Sequence, residues 1–234
     1  MITDRAAARV VGILFIMATV PFSVSVMVLD PVVGAPDVLS RVSLATTRVG
    51  VGAVLELTNH IAVVAIAVVI YPVLERVSQR LAMGYVAARS IEAVLFAAGT
   101  ASLLALVVVS GEFLAMGGPA DGHFQTWAQV LLAGHDWNNA AVAFVAFALG
   151  SLMLNYGLYR ARLVPRWISA WGLLAAASIL SARVALLVGA GLTPRTVTIL
   201  DAPIFLQEMV LALWLIVRGF DSAALATVEV PRAE

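Results

Sequence analysis

The sequence contains no cysteine and no lysine. The absence of cysteine excludes disulfides, thiolate metal ligands and thiol nucleophiles. All 14 basic residues are arginine, and 14 acidic residues balance them. This balance argues against a polybasic surface, so we expect no nucleic-acid partner.

Charged residues of both signs are scarce. Only 12% of the residues are charged and 62% are hydrophobic, with a mean hydropathy of +1.01. Soluble domains carry about 25% charged residues, so a soluble globular fold is excluded. The composition therefore predicts a membrane protein, most of whose surface contacts a lipid bilayer.

Apolar runs of transmembrane length predict an all-α, polytopic helix bundle. A helix of about 20 residues crosses a hydrocarbon core about 30 Å thick. About six such runs occur, and we assign residues 1–219 to the bundle and residues 220–234 to a polar tail. The predicted spans are Ala7–Leu29, Val49–Leu74, Ser90–Ser110, Trp137–Tyr159, Trp167–Val188 and Pro203–Val217.

The distribution of arginine predicts the orientation of the bundle. With six spans, ten of the 14 arginines fall on the side of the termini, three fall on the other side, and Arg183 lies within a span. By the positive-inside rule, both termini and the tail are cytoplasmic. Two outer connections are expected to form short helices, one after Pro36 and Asp37 and one from Phe124 to Leu131.

Ionisable residues within the predicted spans are the main candidates for function. A charge near the bilayer centre costs about 2.5–3.5 kcal/mol on insertion scales, so such residues usually face each other or a polar cavity. Helical spacing places Glu56 on a stripe with Gly52 and Asn59, and Arg183 on a stripe with Gly172. We therefore expect these charges to point into the bundle. The candidate ligand-binding residues are Glu56, Asn59, His60, Arg183 and Glu208.

The predicted depths place Glu56, Arg183 and Glu208 together in the outer half of the membrane. In one interpretation they line a cavity in which Arg183 neutralises Glu56 or Glu208 and the other carboxyl holds a proton. In the other, the same ion pair only holds the helices in register.

Two further groups of polar residues have simpler interpretations. Arg89 and Glu92 form an i, i+3 pair at the predicted inner start of the third span, which favours a structural anchor over a contact with lipid headgroups or a cytosolic substrate. Glu56 and His60 share a helical face, but a metal site needs three or four converging ligands. We therefore predict no metal and no cofactor, and expect His60 to hydrogen-bond with Glu56.

Five stretches resemble an uncharacterised bacterial membrane family, domain of unknown function 4386. They are LELTN at 55–59, IYPVLER at 70–76, LAMGYVAARSIEA at 81–93, LVPRWISAWG at 163–172, and Glu208 followed by LALWLIVRGF at 211–220. The resemblance implies a multi-pass protein of the bacterial cytoplasmic membrane and no particular activity. Its motifs include Glu56, Asn59, Arg89, Glu92 and Glu208, and exclude His60, His123, His135, Asp136 and Arg183.

Three functions fit these observations. The first is binding or transport of a small, partly lipophilic solute in the outer cavity. The second is a membrane enzyme that uses a buried carboxyl as general acid on an isoprenoid or lipid-like substrate. The third is a structural or regulatory component without a ligand site. The sequence specifies neither a substrate nor an oligomeric state.

Overall fold

The computed structural model describes residues 3–119, 122–137 and 142–227. Within these residues the chain is helical and contains no strand. The helices are α1 Asp4–Val33, α2 Val38–Leu44, α3 Thr46–Val77, α4 Gln79–Ala115, α5 His123–Trp137, α6 Ala143–Arg160, α7 Arg166–Leu187, α8 Pro194–Val217 and α9 Ser222–Thr227.

The helices confirm a polytopic membrane bundle with about six spans. Helices α1, α3, α4, α7 and α8 are long and apolar enough to cross a membrane. Helix α6 coincides with the remaining predicted span and has 18 residues, about 27 Å at 1.5 Å per residue. The predicted start of that span includes residues 138–141, which lie outside the described residues.

The six long helices pack in a closed ring. Around the ring α1 contacts α3, α3 contacts α4, α4 contacts α6, α6 contacts α7, α7 contacts α8, and α8 returns to α1. The short helices α2 and α5 pack against α4. Both short helices were expected from the sequence, although α5 extends further in both directions than Phe124–Leu131.

Helices α1 and α8 approach most closely near their inner ends. A Cβ atom at Gly12 would lie 2.6 Å from the backbone oxygen of Ala212, so only glycine fits at this crossing. Farther out, both helices line one cavity, whose wall includes the exposed side chains of Val26 from α1 and Leu206 from α8.

Two helices begin earlier than their predicted spans, which moves charged residues along the bundle. Helix α4 begins at Gln79 rather than Ser90, and α8 begins at Pro194 rather than Pro203. Arg89 and Pro203, which mark the starts of the predicted spans, therefore lie inside helices. At the other end, Phe220 of the predicted tail is buried in the core and α9 follows it, while residues 228–234 lie outside the described residues.

Candidate functional site

The expected inward stripes are confirmed by burial. Glu56 is 3% exposed and Arg183 is 1% exposed, although each lies in a membrane-length helix. The small residues predicted to accompany them, Gly52 and Gly172, are buried as well. Both charges therefore face the interior of the bundle and not lipid.

Glu56 and Arg183 line one cavity of about 660 Å³, which we call the outer cavity. Its wall is largely apolar, with four acidic side chains, one arginine and one histidine set into it. The lining residues come from α1, α3, α5, α6, α7 and α8. They are Phe22, Val26, Leu29, Asp30, Val33, Glu56, His135, Asp136, Phe144, Arg183, Val197, Thr198, Asp201, Ala202, Phe205 and Leu206.

Glu56 is held by hydrogen bonds from two neighbouring helices. Its Oε1 lies 3.0 Å from Nε2 of His135, and its Oε2 accepts a hydrogen bond from the Thr100 hydroxyl. We expected His60 to hydrogen-bond with Glu56, but the two side chains do not form a direct hydrogen bond. Nε2 of His60 lies 3.0 Å from the Thr100 oxygen, so Thr100 connects the two residues. Residues one helical turn apart share a face, but the threonine of α4 fills the space between them.

The charge of His135 depends on the two carboxylates beside it. Burial lowers the pKa of this histidine, but Asp136 and Glu56 raise it by more, to about 9. The Asp136 carboxylate is 78% exposed and lies 3.7 Å from Nδ1, beyond good hydrogen-bonding distance. The shielded Glu56 is therefore the partner on which the charge of His135 mainly depends, and together they form a buried ion pair.

Arg183 pairs with Asp201 of α8 and not with Glu56 or Glu208, so the predicted pairing was wrong. Nη2 of Arg183 donates to Oδ2 of Asp201, and the guanidinium lies 4.5 Å above the ring of Phe144. Asp201 had been placed outside the sixth span because Pro203 was taken as its start. Nε and Nη1 of Arg183 and Oδ1 of Asp201 are buried without a hydrogen-bond partner.

Glu208 lies with Arg89 and Glu92 in the middle of the bundle, and not with Glu56 and Arg183. Nη1 of Arg89 is 2.8 Å from Glu92, and its Nη2 is 3.8 Å from Glu208. The Thr19 hydroxyl donates to Glu208, and Arg89 donates from Nε to the Tyr85 hydroxyl. We call Arg89, Glu92 and Glu208 the central charge cluster.

The depth of this cluster corrects the prediction that Arg89 and Glu92 sit at the inner edge of the membrane. Both side chains are 1% exposed. Glu208, which they face, lies ten residues before Arg218 at the end of α8, about 15 Å along the helix. A small void of about 30 Å³ adjoins the cluster and is also lined by Asn59. Asn59 donates to the backbone oxygen of Ala18 and does not line the outer cavity.

A layer of aromatic side chains separates the outer cavity from the central charge cluster. The rings of Phe22, Phe96 and Phe144 contact each other with centroids 5.6–6.3 Å apart. Phe22, Phe144 and Phe205 line both the outer cavity and the central void. The two buried arginines thus lie in different compartments of the bundle, Arg183 in the first and Arg89 in the second.

In the part of the chain that the structure describes, no three histidine, aspartate or glutamate side chains come together in a group that could hold a metal ion. The buried acidic groups are instead paired with arginine, histidine and hydroxyl donors.

The chain belongs to the domain of unknown function 4386 family, whose model matches residues 10–219. No curated protein and no solved structure matches it. The match covers all six long helices except the first turns of α1, and it agrees with the resemblance seen in the sequence motifs. The protein is therefore a multi-pass membrane protein of this family.

His135, Asp201 and Thr100 are the site residues that the sequence did not single out as partners. Asp201 lies 18 residues after Arg183 in the next helix, at a spacing that an antiparallel helix pair brings together. This spacing would have predicted the Arg183–Asp201 pair if the sixth helix had been predicted to begin at Pro194 and not at Pro203. His135 and Thr100 gave no comparable signal, because their contacts with Glu56 depend on how α4 and α5 pack against α3.

Proposed function

We propose that this protein binds or transports a small, partly lipophilic solute, which occupies the outer cavity. The observation that carries this proposal is the composition of the cavity wall. An apolar surface large enough for a small molecule surrounds two buried ion pairs, Glu56–His135 and Arg183–Asp201. Ligand sites combine an apolar lining with a few placed polar groups in this way.

The ion pair of Arg183 and Asp201 gives the cavity wall both donor and acceptor groups. Nε and Nη1 of Arg183 and Oδ1 of Asp201 are buried without a hydrogen-bond partner. We expect a head group that carries both hydrogen-bond donors and an acceptor oxygen to match this pair.

The charge of the cavity selects against anions. Asp30, Glu56, Asp136 and Asp201 contribute four carboxylates, against Arg183 and a protonated His135. This acidic excess favours a neutral or positively charged head group. The apolar side chains that form most of the lining suit a solute with an alkyl or ring portion. We place the protein in the bacterial cytoplasmic membrane, as its sequence motifs suggest.

The proposal is tested by filling part of the cavity. Leu206→Trp puts a bulky ring in the cavity wall, and Leu213→Trp, on the same helix but away from the cavity lining, is the matched control. Purified protein in lipid nanodiscs is heated with dodecylamine, dodecanol or dodecanoic acid. We expect the amine or the alcohol to raise the Tm of the wild type and of Leu213→Trp, and to have little effect on Leu206→Trp.

Two results would contradict the proposal. One is an equal rise in Tm for all three proteins, which means that the amphiphile acts through the bilayer and not in the cavity. The other is no rise in the wild type with any of the three probes. A preference for dodecanoic acid that Leu206→Trp abolishes would retain the cavity but contradict the inferred charge of the head group.

A further inference from the structure

A second pocket lies at the opposite, arginine-rich end of the bundle. It has a volume of about 550 Å³ and is formed between the α6–α7 connection and the end of α8. We call it the arginine pocket. Its lining residues are Arg162, Leu163, Val164, Pro165, Arg166, Trp214, Arg218, Gly219, Phe220, Asp221 and Ser222.

Three arginines converge on this pocket from two separate segments of the chain. Arg162, Arg166 and Arg218 are exposed, and none of them forms an ion pair with a carboxylate of the described residues. Among the described residues that line the pocket, Asp221 is the single acidic side chain, and it caps the first turn of α9 by accepting from the Ala224 amide. The pocket therefore has an excess of positive charge.

The backbone adds to this positive character. Helix α7 begins at Arg166 in the pocket wall, and its N-cap residue, Pro165, provides no side-chain hydrogen bond to the first turn. The amides of the first helical turn and the helix dipole favour a negative charge at such an end. Arg166 lies 5.2 Å over the ring of Tyr159, which holds its guanidinium near the helix end.

Arg162 is placed in the pocket despite an unfavourable backbone conformation. Its φ is 54°, in the left-handed region that glycine adopts most easily. This residue follows Ala161, the C-cap of α6, at a position where glycine would satisfy the turn without strain. An arginine at this position gives the pocket a positive charge that glycine could not supply.

We propose that the arginine pocket binds the phosphate group of an anionic phospholipid. Guanidinium groups recognise phosphate through several charge-assisted hydrogen bonds. The pocket lies where the helices α6, α7 and α8 leave the membrane, at the level of lipid headgroups, on the side that the positive-inside rule assigns to the cytoplasm. Val164, Pro165 and Trp214 provide an apolar wall for the glycerol and the first part of the acyl chains.

The experiment measures which lipids the protein retains. The detergent-solubilised protein is incubated with equal amounts of phosphatidylglycerol and phosphatidylcholine, and native mass spectrometry counts the lipids that remain bound. We expect the wild type to retain phosphatidylglycerol preferentially. The Arg162→Gln/Arg218→Gln variant should lose that preference, with about a five-fold fall in affinity for each arginine removed. Arg195→Gln, an exposed arginine at the other end of α8, is the matched control.

Three outcomes would overturn the proposal. The first is equal phosphatidylglycerol retention by the wild type and the double variant. The second is the same loss in Arg195→Gln, which would indicate a general charge effect. The third is displacement of the retained lipid by inorganic phosphate at equal concentration, which would assign the pocket to a free phosphate. The pocket is remote from the outer cavity, so none of these results bears on the solute proposal.

Discussion

Arg89 is bound by carboxylates on two sides in the centre of the bundle. Glu92 lies on its own helix and Glu208 comes from α8, so one guanidinium links two elements of the ring. A buried charge without a partner is strongly destabilising, because the interior cannot replace its hydration. The three residues therefore depend on one another for stability, because the loss of Arg89 leaves two acidic groups without a cation.

Arg89→Met should destabilise the folded protein by about 3–5 kcal/mol. In Arg89→Met/Glu92→Gln, one carboxylate is removed together with the cation, so we expect part of this stability to return. The measurement is the Tm in detergent, followed by size-exclusion chromatography of the heated sample. An Arg89→Met protein as stable as the wild type would show that the central charge cluster does not hold α4 and α8 together.

His135 gives the outer cavity a dependence on pH. Its pKa of about 9 in the folded protein exceeds the ordinary value of 6.5, because the protonated ring is paired with Glu56. The resulting stabilisation is complete below about pH 6.5 and is lost as the pH rises through about 9, and it is on the order of 3 kcal/mol.

The Tm of the wild type should therefore fall between pH 6.5 and pH 9 more steeply than the Tm of His135→Gln. Replacing the exposed His123 of the same helix by glutamine is the control, and that variant should follow the wild type. Superimposable pH profiles for wild type and His135→Gln would contradict the assigned ion pair.

The sequence predicted which charges point inward and the pair within one helix, Arg89–Glu92, but not which charges of separate helices meet. The spacing of Glu56 with Gly52 and of Arg183 with Gly172 is a local property of one helix, and burial confirms both stripes. The partner of each charge depends on the packing of separate helices. For Glu208, an error of nine residues in the start of α8 was enough to place it in the wrong half of the bundle.

At the scale of helices, α1 and α8 are in close contact at one level and share a cavity wall at another. Gly12 permits the close approach near the inner ends, and both helices line the outer cavity farther out. Glycine within a helix normally lowers stability relative to alanine, so its presence here is explained by packing.

Gly12→Ala should lower stability by about 1–3 kcal/mol, because its Cβ would meet backbone atoms of Ala212 that cannot move away easily. Gly50→Ala is the matched control, since a Cβ at Gly50 of α3 meets nothing within 4 Å. That variant should be neutral or up to about 1 kcal/mol more stable. Thermal unfolding of both variants checks the prediction, and equal effects would refute the close crossing.

The helix boundaries show why apolar runs locate spans better than they locate helix ends. The predicted spans begin next to Arg89 and at Pro203, because charge and proline usually mark the end of a membrane segment. In α4 the charge of Arg89 is matched within the bundle, so the helix continues through it. In α8 the proline is accommodated inside the helix, and Asp201 joins the bundle through its pair with Arg183.

At the scale of the whole molecule, the ring of six helices encloses two polar compartments in series. The outer cavity is lined by residues of α1 and α8 among others, and the central charge cluster lies beneath a layer of phenylalanine rings. The arginine pocket occupies the other end of the molecule. The two proposals therefore concern opposite ends of the bundle, a solute in the outer cavity and a lipid phosphate in the arginine pocket.

The measurement that tests the central claim most directly is an experimental structure of the protein in a lipid environment with bound dodecylamine. The proposed function predicts density for one amphiphile in the outer cavity, with its head group within hydrogen-bonding distance of Arg183 or Asp201 and its chain between α1 and α8. A structure in which α1 and α8 close over this space, or in which the amphiphile binds only elsewhere, would contradict it.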